Sequence, residues 1–283
     1  MSVTFLGPPR KAHMYSELAY TRKGSGEPLV LIHGIGHRRQ AWNPVFEQLA
    51  ESYDVIAVDL AGFGESPAHP KGVPYNMDAA CDNLADNFAA WGITKPHVVG
   101  NSLGGAISLE LGARRMVSSV TALSPAGHFR RLDRVVAFFG LILLKLSSHL
   151  PLAVVKPFLR TAAGRRLSGR SLYMHGDRIT AEDFIGDTLA LRSCPAFFHT
   201  LNAGTRYKFD RPVPVPTTIA WGTRDRILLF GQSAIAQERL PEAHHVALPH
   251  CGHVPMIDDP ELIVRVIKNT VDSAVAAETE RAA

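Results

Sequence analysis

A serine, an aspartate and a histidine, each in a turn after an apolar stretch, could together carry out acyl transfer in this chain. Ser102 stands in Gly100-Asn101-Ser102-Leu103-Gly104, behind the β-branched pair Val98-Val99 and ahead of Ile107 and Leu111 at helical spacing. A strand that feeds a helix through so few residues must turn sharply. Side chains at the flanking positions would collide, so both are glycine, and the strained apex residue is pushed out above the sheet. At a helix N-terminus, free N–H groups and the helix dipole favour negative charge, which prepares a serine there for nucleophilic attack. The five-residue pattern alone also fits a glycine-rich turn with a solvated serine. The strand before it and the helix after it favour the nucleophile.

A serine hydroxyl is a poor nucleophile at neutral pH and needs a base, which in turn needs an orienting partner. Asp225 ends Gly222-Thr223-Arg224-Asp225 after the apolar run Val215–Trp221, and His253 lies in Gly252-His253-Val254-Pro255 after His245–Leu248. Strand ends converge in space even when far apart in sequence. We therefore assign Ser102 as nucleophile, His253 as general base and then acid, and Asp225 as the group that fixes the imidazole tautomer. Developing oxyanion charge needs two donors, for which we assign the backbone N–H groups of Leu103 and Ile35, the latter between Gly34 and Gly36. Asp133 is the runner-up for the acid and His250 for the base. His33 reads as a structural hydrogen-bonding residue beneath that loop, His37 as solvent-facing in preference to a substrate contact, and Asp59 and Ser66 as ties of a turn. Asn101 either tunes the nucleophile or belongs to a solvated loop.

These residues require a particular scaffold. Leu29–Ile32, Val55–Val58, His97–Val99 and Val117–Leu123 read as buried strands, with Glu17–Thr21 as a weak edge strand. Between them, Trp42, Phe46 and Leu49 share one helical face, and Met77 to Trp91 forms a longer stripe capped by Asn76. The alternation predicts an α/β fold with a mostly parallel sheet, and ligands in such sheets bind at the carboxyl ends of the strands. The alternation stops from His128 to Pro212 and resumes at residue 213. The expected organisation is a core at 1–127 and 213–283, split by a helical insertion at 128–212. Within the insertion, Val135–Leu144 is apolar all round, so we expect it to be buried or to line an apolar cavity that binds substrate. A membrane-docking surface is the alternative to ordinary lid packing. After a last helix opened by Asp259-Pro260, the tail from Ala274 is expected to fray.

Composition excludes other classes. The chain is 46% hydrophobic and 20% charged with a net charge of +4, ordinary for a soluble globular protein. The basic cluster Arg160, Arg165, Arg166 and Arg170 lacks aromatic interleaving and does not read as a nucleic-acid surface. Gly62-x-Gly64 lacks the third glycine of a dinucleotide loop, and Pro67 and Pro70 stand where its helix should open. Cys81, Cys194 and Cys251 suggest neither a disulfide framework nor a metal site. The N-terminal MSVTFLGPPRK has no apolar signal region, and the longest apolar run is too short to span a bilayer. The expected location is the cytoplasm.

Five motifs in order carry a resemblance: His33-Gly34-Ile35-Gly36, Asp59-Leu60-Ala61-Gly62-Phe63-Gly64-Glu65-Ser66, the Ser102 turn, Trp221-Gly222-Thr223-Arg224-Asp225 and Gly252-His253-Val254-Pro255. The chain resembles the α/β-hydrolase fold superfamily, in its serine carboxylesterase or lipase-like branch with a helical cap. The resemblance implies an eight-stranded sheet with an antiparallel second strand. A serine rather than an aspartate at the apex argues against epoxide hydrolases and haloalkane dehalogenases. Carbon–carbon bond hydrolases usually have a longer glycine-rich oxyanion loop. The expected activity is hydrolysis of hydrophobic small-molecule esters without metal or organic cofactor. Carbon–carbon, lactone or thioester hydrolysis and perhydrolysis would use the same triad. The rival class is a receptor-like ligand-binding protein with a slow or vestigial triad.

Overall fold

Alternation along the central strands assigns each residue to one of two apolar layers. In β2 (Pro28–Ile32), Val30 and Ile32 face one side with Ile56 and Val98, while Leu29 and Leu31 face the other with Val55 and Val99. Every residue of β4 (His97–Asn101) and β5 (Ser119–Leu123) is buried, because helices cover both faces. On the first face lie α2 (Met77–Ala90) and α3 (Leu103–Ala113), which contribute Cys81, Leu84, Phe88, Ile107 and Leu111. On the second lie α1 (Asn43–Ala50) and α11 (Pro260–Ala282), which contribute Val45, Phe46, Leu49, Ile263 and Ile267. Each such aliphatic or aromatic side chain stabilises the fold by roughly 1.5–3 kcal/mol when fully buried.

This is a computed structural model that describes residues 15–282, so the segment read above for a signal sequence lies outside the described residues. Adding β1 (Tyr20–Lys23), β3 (Asp54–Val58), β6 (Thr217–Gly222) and β7 (His244–Leu248) gives the sheet order β1-β3-β2-β4-β5-β6-β7. Among the described residues only β1 is antiparallel, pairing Tyr20 with Val58 and Lys23 with Val55. The chain steps from β2 to β3 on one side and to β4 on the other. The β2–β4 neighbours therefore form the point where strand order reverses, where ligands bind in open α/β sheets.

Three expectations are corrected. The sheet has seven strands among the described residues, not eight, and the antiparallel one is the first of them. Just before β1, Ala19 O still accepts from Asp59 N (2.9 Å), but Ala19 N donates to Ser66 Oγ and Leu18 N to Asn87 Oδ1, so the pairing ends there. The C-terminal tail does not fray at Ala274, because α11 continues to Ala282 with Val271 and Ala274 buried. Between β5 and β6 run α4 (Arg131–Ser147), α5 (Leu152–Leu159), α6 (Ala162–Ser168), α7 (Ala181–Ser193) and α8 (Phe197–Gly204), and α9 (Gln232–Arg239) joins β6 to β7. Val135–Leu144, expected to be buried or to line an apolar cavity, divides along α4: Leu141 and Leu144 line a cavity, whereas Val135, Val136, Phe139, Ile142 and Leu143 are exposed, Val135 at 66% and Phe139 at 67%. Periodicity reported an apolar surface wider than the one face α4 packs inward. That inward face carries Ala137 and Lys145, whose Nζ donates to Leu191 O (2.6 Å) and Arg192 O (2.9 Å). The ammonium thus satisfies carbonyls at the C-terminal end of α7, where the helix dipole favours a cation.

Candidate active site

Ser102 sits between β4 and α3 with φ 57° and ψ −111°, a left-handed conformation that a residue with a side chain rarely adopts. The surroundings enforce it. A Cβ at Gly100 would lie 2.0 Å from Gly104 O, and one at Gly104 would lie 2.1 Å from Ile32 O. Ser102 N donates to Leu123 O (2.9 Å), and Ser102 O accepts from Ala106 N and Ala126 N. The apex is thereby fastened to β5 and to its own helix, so the strain persists.

The loop after β2 approaches this apex closely, since a Cβ at Gly34 would lie 3.2 Å from Ser102 Cβ. His33 supports the loop from below. Its Nε2 accepts from Leu60 N (3.0 Å), which leaves the proton on Nδ1 to donate to Gly34 O (2.7 Å). Burial pushes the His33 pKa down to about 4, so the ring stays neutral and keeps this tautomer. Neither Ile35 N nor Leu103 N donates to a protein acceptor among the described residues. The Asp59 turn is tied as expected of a structural element: Asp59 accepts from Arg39 N, Glu65 N and the Arg39 guanidinium, and Ser66 Oγ donates to Asp59 O (2.6 Å).

Asp225 and His253 meet after β6 and β7. The His253 Nδ1 to Asp225 Oδ2 distance is 2.7 Å, and the Asp225 side chain is fully buried. Asp225 Oδ1 accepts from Ile227 N and Leu228 N, both at 2.8 Å, which fixes the carboxylate plane. His253 is held at its backbone: its N donates to Leu172 O (2.8 Å) and its O accepts from Asn101 Nδ2 (2.8 Å). No hydrogen bond joins Ser102 Oγ to His253 among the described residues, and such contacts often tighten only around substrate. Both side chains line one cavity of about 430 Å³. Its walls are mostly apolar, with Leu141 and Leu144 from α4, Val154, Phe158 and Leu159 from α5, and Leu191 from α7. A second cavity of the same volume is lined by Glu110 and Tyr207 and includes none of these three residues.

The other weighed residues take definite places. Asp133 lies in the first turn of α4, while Asp225 occupies His253 Nδ1. His250 is exposed. His37, expected to face solvent, is part-buried and lines the cavity, 3.4 Å from Tyr173 Oη and 3.7 Å from Asp187 Oδ2. Arg38 Nε donates to Asp187 Oδ1 (2.7 Å), so the loop after β2 is clamped to α7. Asn101 is buried and bridges Leu123 O and His253 O, which excludes the solvated-loop reading.

Sequence reasoning missed Asp258 and Leu172. Asp258 accepts from Met174 N (2.9 Å), His175 N (2.7 Å) and Gly252 N (2.7 Å), bracing the histidine loop against the insertion. The available signal was an aspartate three residues after Pro255, where α10 (Pro255–Asp258) ends. Cys81, Cys194 and Cys251 are buried free thiols whose pKa burial pushes up to about 12, 11 and 12, so they are held as inert thiols.

A family model described as the alpha/beta hydrolase family matches residues 29–266. Lipase 3 of Moraxella sp. (strain TA144) is 26% identical over 252 residues, covering 83% of this chain and 74% of that protein. The 2-hydroxy-6-oxo-6-(2'-aminophenyl)hexa-2,4-dienoic acid hydrolase of Metapseudomonas resinovorans is 28% identical, covering 87% of this chain and 84% of that protein. The crystal structure of a membrane phospholipase A, a bacterial virulence factor, is similar with a TM-score of 0.71 at 26% identity. The match covers 91% of this chain and 83% of that one.

Proposed function

Since this chain belongs to the α/β-hydrolase family, we propose that it cleaves carboxylic esters of hydrophobic small molecules through an acyl-serine intermediate. The observation that carries the reading is one apolar cavity holding the strained Ser102 and His253, the latter paired with buried Asp225. Ser102 Oγ attacks the ester carbonyl and its proton passes to His253 Nε2. Asp225 stabilises the imidazolium through Nδ1–H. The carbonyl oxygen takes up negative charge and is met by the N–H groups of Ile35 and Leu103, each such donor contributing roughly 3 kcal/mol to the transition state. Collapse expels the alcohol with the proton from His253. A water then gives its proton to His253 and attacks the acyl carbon. The acid leaves, and Ser102 recovers its proton.

Substrate charge favours the neutral ester over the carbon–carbon alternative. A dienoic acid carries a carboxylate, and no Lys or Arg lines the cavity among the described residues. The ionisable groups of its wall are His37, Tyr173, Asp187 and His253, and Asp187 already pairs with Arg38. An anion would enter against a carboxylate with no guanidinium or ammonium to receive it.

The test is turnover of p-nitrophenyl esters from acetyl to palmitoyl by wild type and Ser102→Ala. The reading predicts many turnovers by wild type, a preference for medium or long acyl chains, and none by Ser102→Ala. Stoichiometric release by wild type, or equal rates in both proteins, would refute it and favour a receptor-like binding protein.

A further inference from the structure

We propose that the outer face of α4 and α5 docks on an anionic phospholipid bilayer and opens the Ser102 cavity toward its acyl chains. Eleven of the sixteen exposed large apolar side chains among the described residues fall between Leu132 and Leu167. On α4, Leu132, Val136, Phe139, Leu143 and Leu146 recur at three- and four-residue spacing and make one stripe. Contiguous exposure of this kind marks an interaction surface rather than scatter.

Charge identifies the occupant. Between His128 and Arg170 the chain carries nine Lys and Arg residues against the single carboxylate of Asp133. Arg130, Arg131, Lys156, Arg160 and Arg170 are exposed and none pairs with a carboxylate among the described residues. A basic rim beside an apolar stripe is the arrangement of helices that lie in the headgroup plane of anionic membranes. A second protein copy would bring the same excess positive charge against itself. No single helix among the described residues is long and apolar enough to cross a bilayer, and α4 and α5 bend by 106° at their junction. The geometry therefore suits a helix pair that lies on a surface.

Continuity with the cavity links docking to chemistry. Leu150, Val154 and Phe158 are exposed at 54%, 70% and 46%, and the same three residues line the cavity that holds Ser102. The mouth opens within the apolar face. An acyl chain could pass from the bilayer to the cavity while keeping apolar contact throughout. This last step rests on the ester-hydrolase reading, whereas docking itself does not.

The experiment compares the full chain with Val135→Glu/Phe139→Glu/Leu143→Glu. None of the three residues lines the cavity, and all are more than half exposed. Co-sedimentation uses vesicles of phosphatidylcholine alone and of phosphatidylcholine with about one-third phosphatidylglycerol. Wild type is expected to bind the anionic vesicles at least tenfold more tightly, less so at high salt, and the triple variant to lose at least tenfold. Turnover of p-nitrophenyl butyrate should be equal in both proteins, which also checks that the variant is folded. Absent binding of wild type to anionic vesicles, or binding that the triple variant keeps, overturns the proposal. So does a wild-type dimer by light scattering that the triple variant breaks. If wild type binds vesicles but cleaves no ester, the docking surface stands and the ester-hydrolase reading falls. If it cleaves soluble esters but binds no vesicle, the reverse holds.

Discussion

Asp225→Asn separates a chemical role of this carboxylate from a structural one. The Asn carbonyl can replace Oδ1 and still accept from Ile227 N and Leu228 N, both at 2.8 Å. Its NH2 then occupies the Oδ2 position, 2.7 Å from His253 Nδ1. A donor there forces Nδ1 to accept, which moves the ring proton to Nε2. In that tautomer Nε2 cannot take the proton from Ser102. The expected loss is about 10⁴-fold in kcat, equivalent to roughly 5 kcal/mol of barrier. The two buried amides stay satisfied, so Tm should change by no more than about 5 °C. Asp225→Ala removes both acceptors as well, at roughly 1–3 kcal/mol for each orphaned amide, and should lower Tm by roughly 5–20 °C. Steady-state ester hydrolysis and thermal melts of both variants supply the comparison. The reasoning is refuted if Asp225→Asn keeps more than a tenth of wild-type kcat, or if its activity falls only in step with its Tm.

Gly104→Ala should fail to accumulate as folded protein, because the new Cβ would meet Ile32 O at 2.1 Å; a melt near that of wild type would contradict the packing account. Asp258→Ala should destabilise by about 3 kcal/mol or more, since three backbone amides lose their acceptor, read as a shift in urea midpoint. Acid should destabilise the fold through two histidines: burial lowers His33 to about 4 and His128 to about 3. The unfolded chain binds those protons below about pH 6.5 while the folded chain does not, so stability falls as pH drops from there. Each contributes a loss of about 2 kcal/mol by pH 5. His128 packs against Phe209 and Trp221 with neither ring nitrogen hydrogen-bonded. His128→Phe should therefore stabilise more at pH 5 than at pH 7.5, and an equal gain at both would count against the linkage.

Local signals made the scaffold legible. Unbroken apolar runs gave the parallel strands, and glycines on either side of Ser102 gave the turn, because both depend on neighbours a few residues away. The α/β-hydrolase family follows from several such turns in order. Long-range partners were not legible. Asn101 reads as a polar loop residue until β5 and the His253 loop are brought beside it, and Asp258 until the insertion supplies Met174 and His175. Apolar content in Val135–Leu144 could not say which side turns inward, since that depends on α7 taking Lys145 at its C-terminal end. The start of β1 at Tyr20, against the expected Glu17–Thr21, has the same origin: Asn87 and Ser66 take the donors of Leu18 and Ala19 across more than 40 residues of chain.

The most direct test of the central claim is a fluorophosphonate reaction followed by intact-mass and peptide mapping. Wild type should gain one adduct, mapped to Ser102, with turnover lost in proportion to labelling. Ser102→Ala should gain none. An adduct on another residue, or an unlabelled wild type that still hydrolyses esters, would contradict the account of Ser102 as the nucleophile.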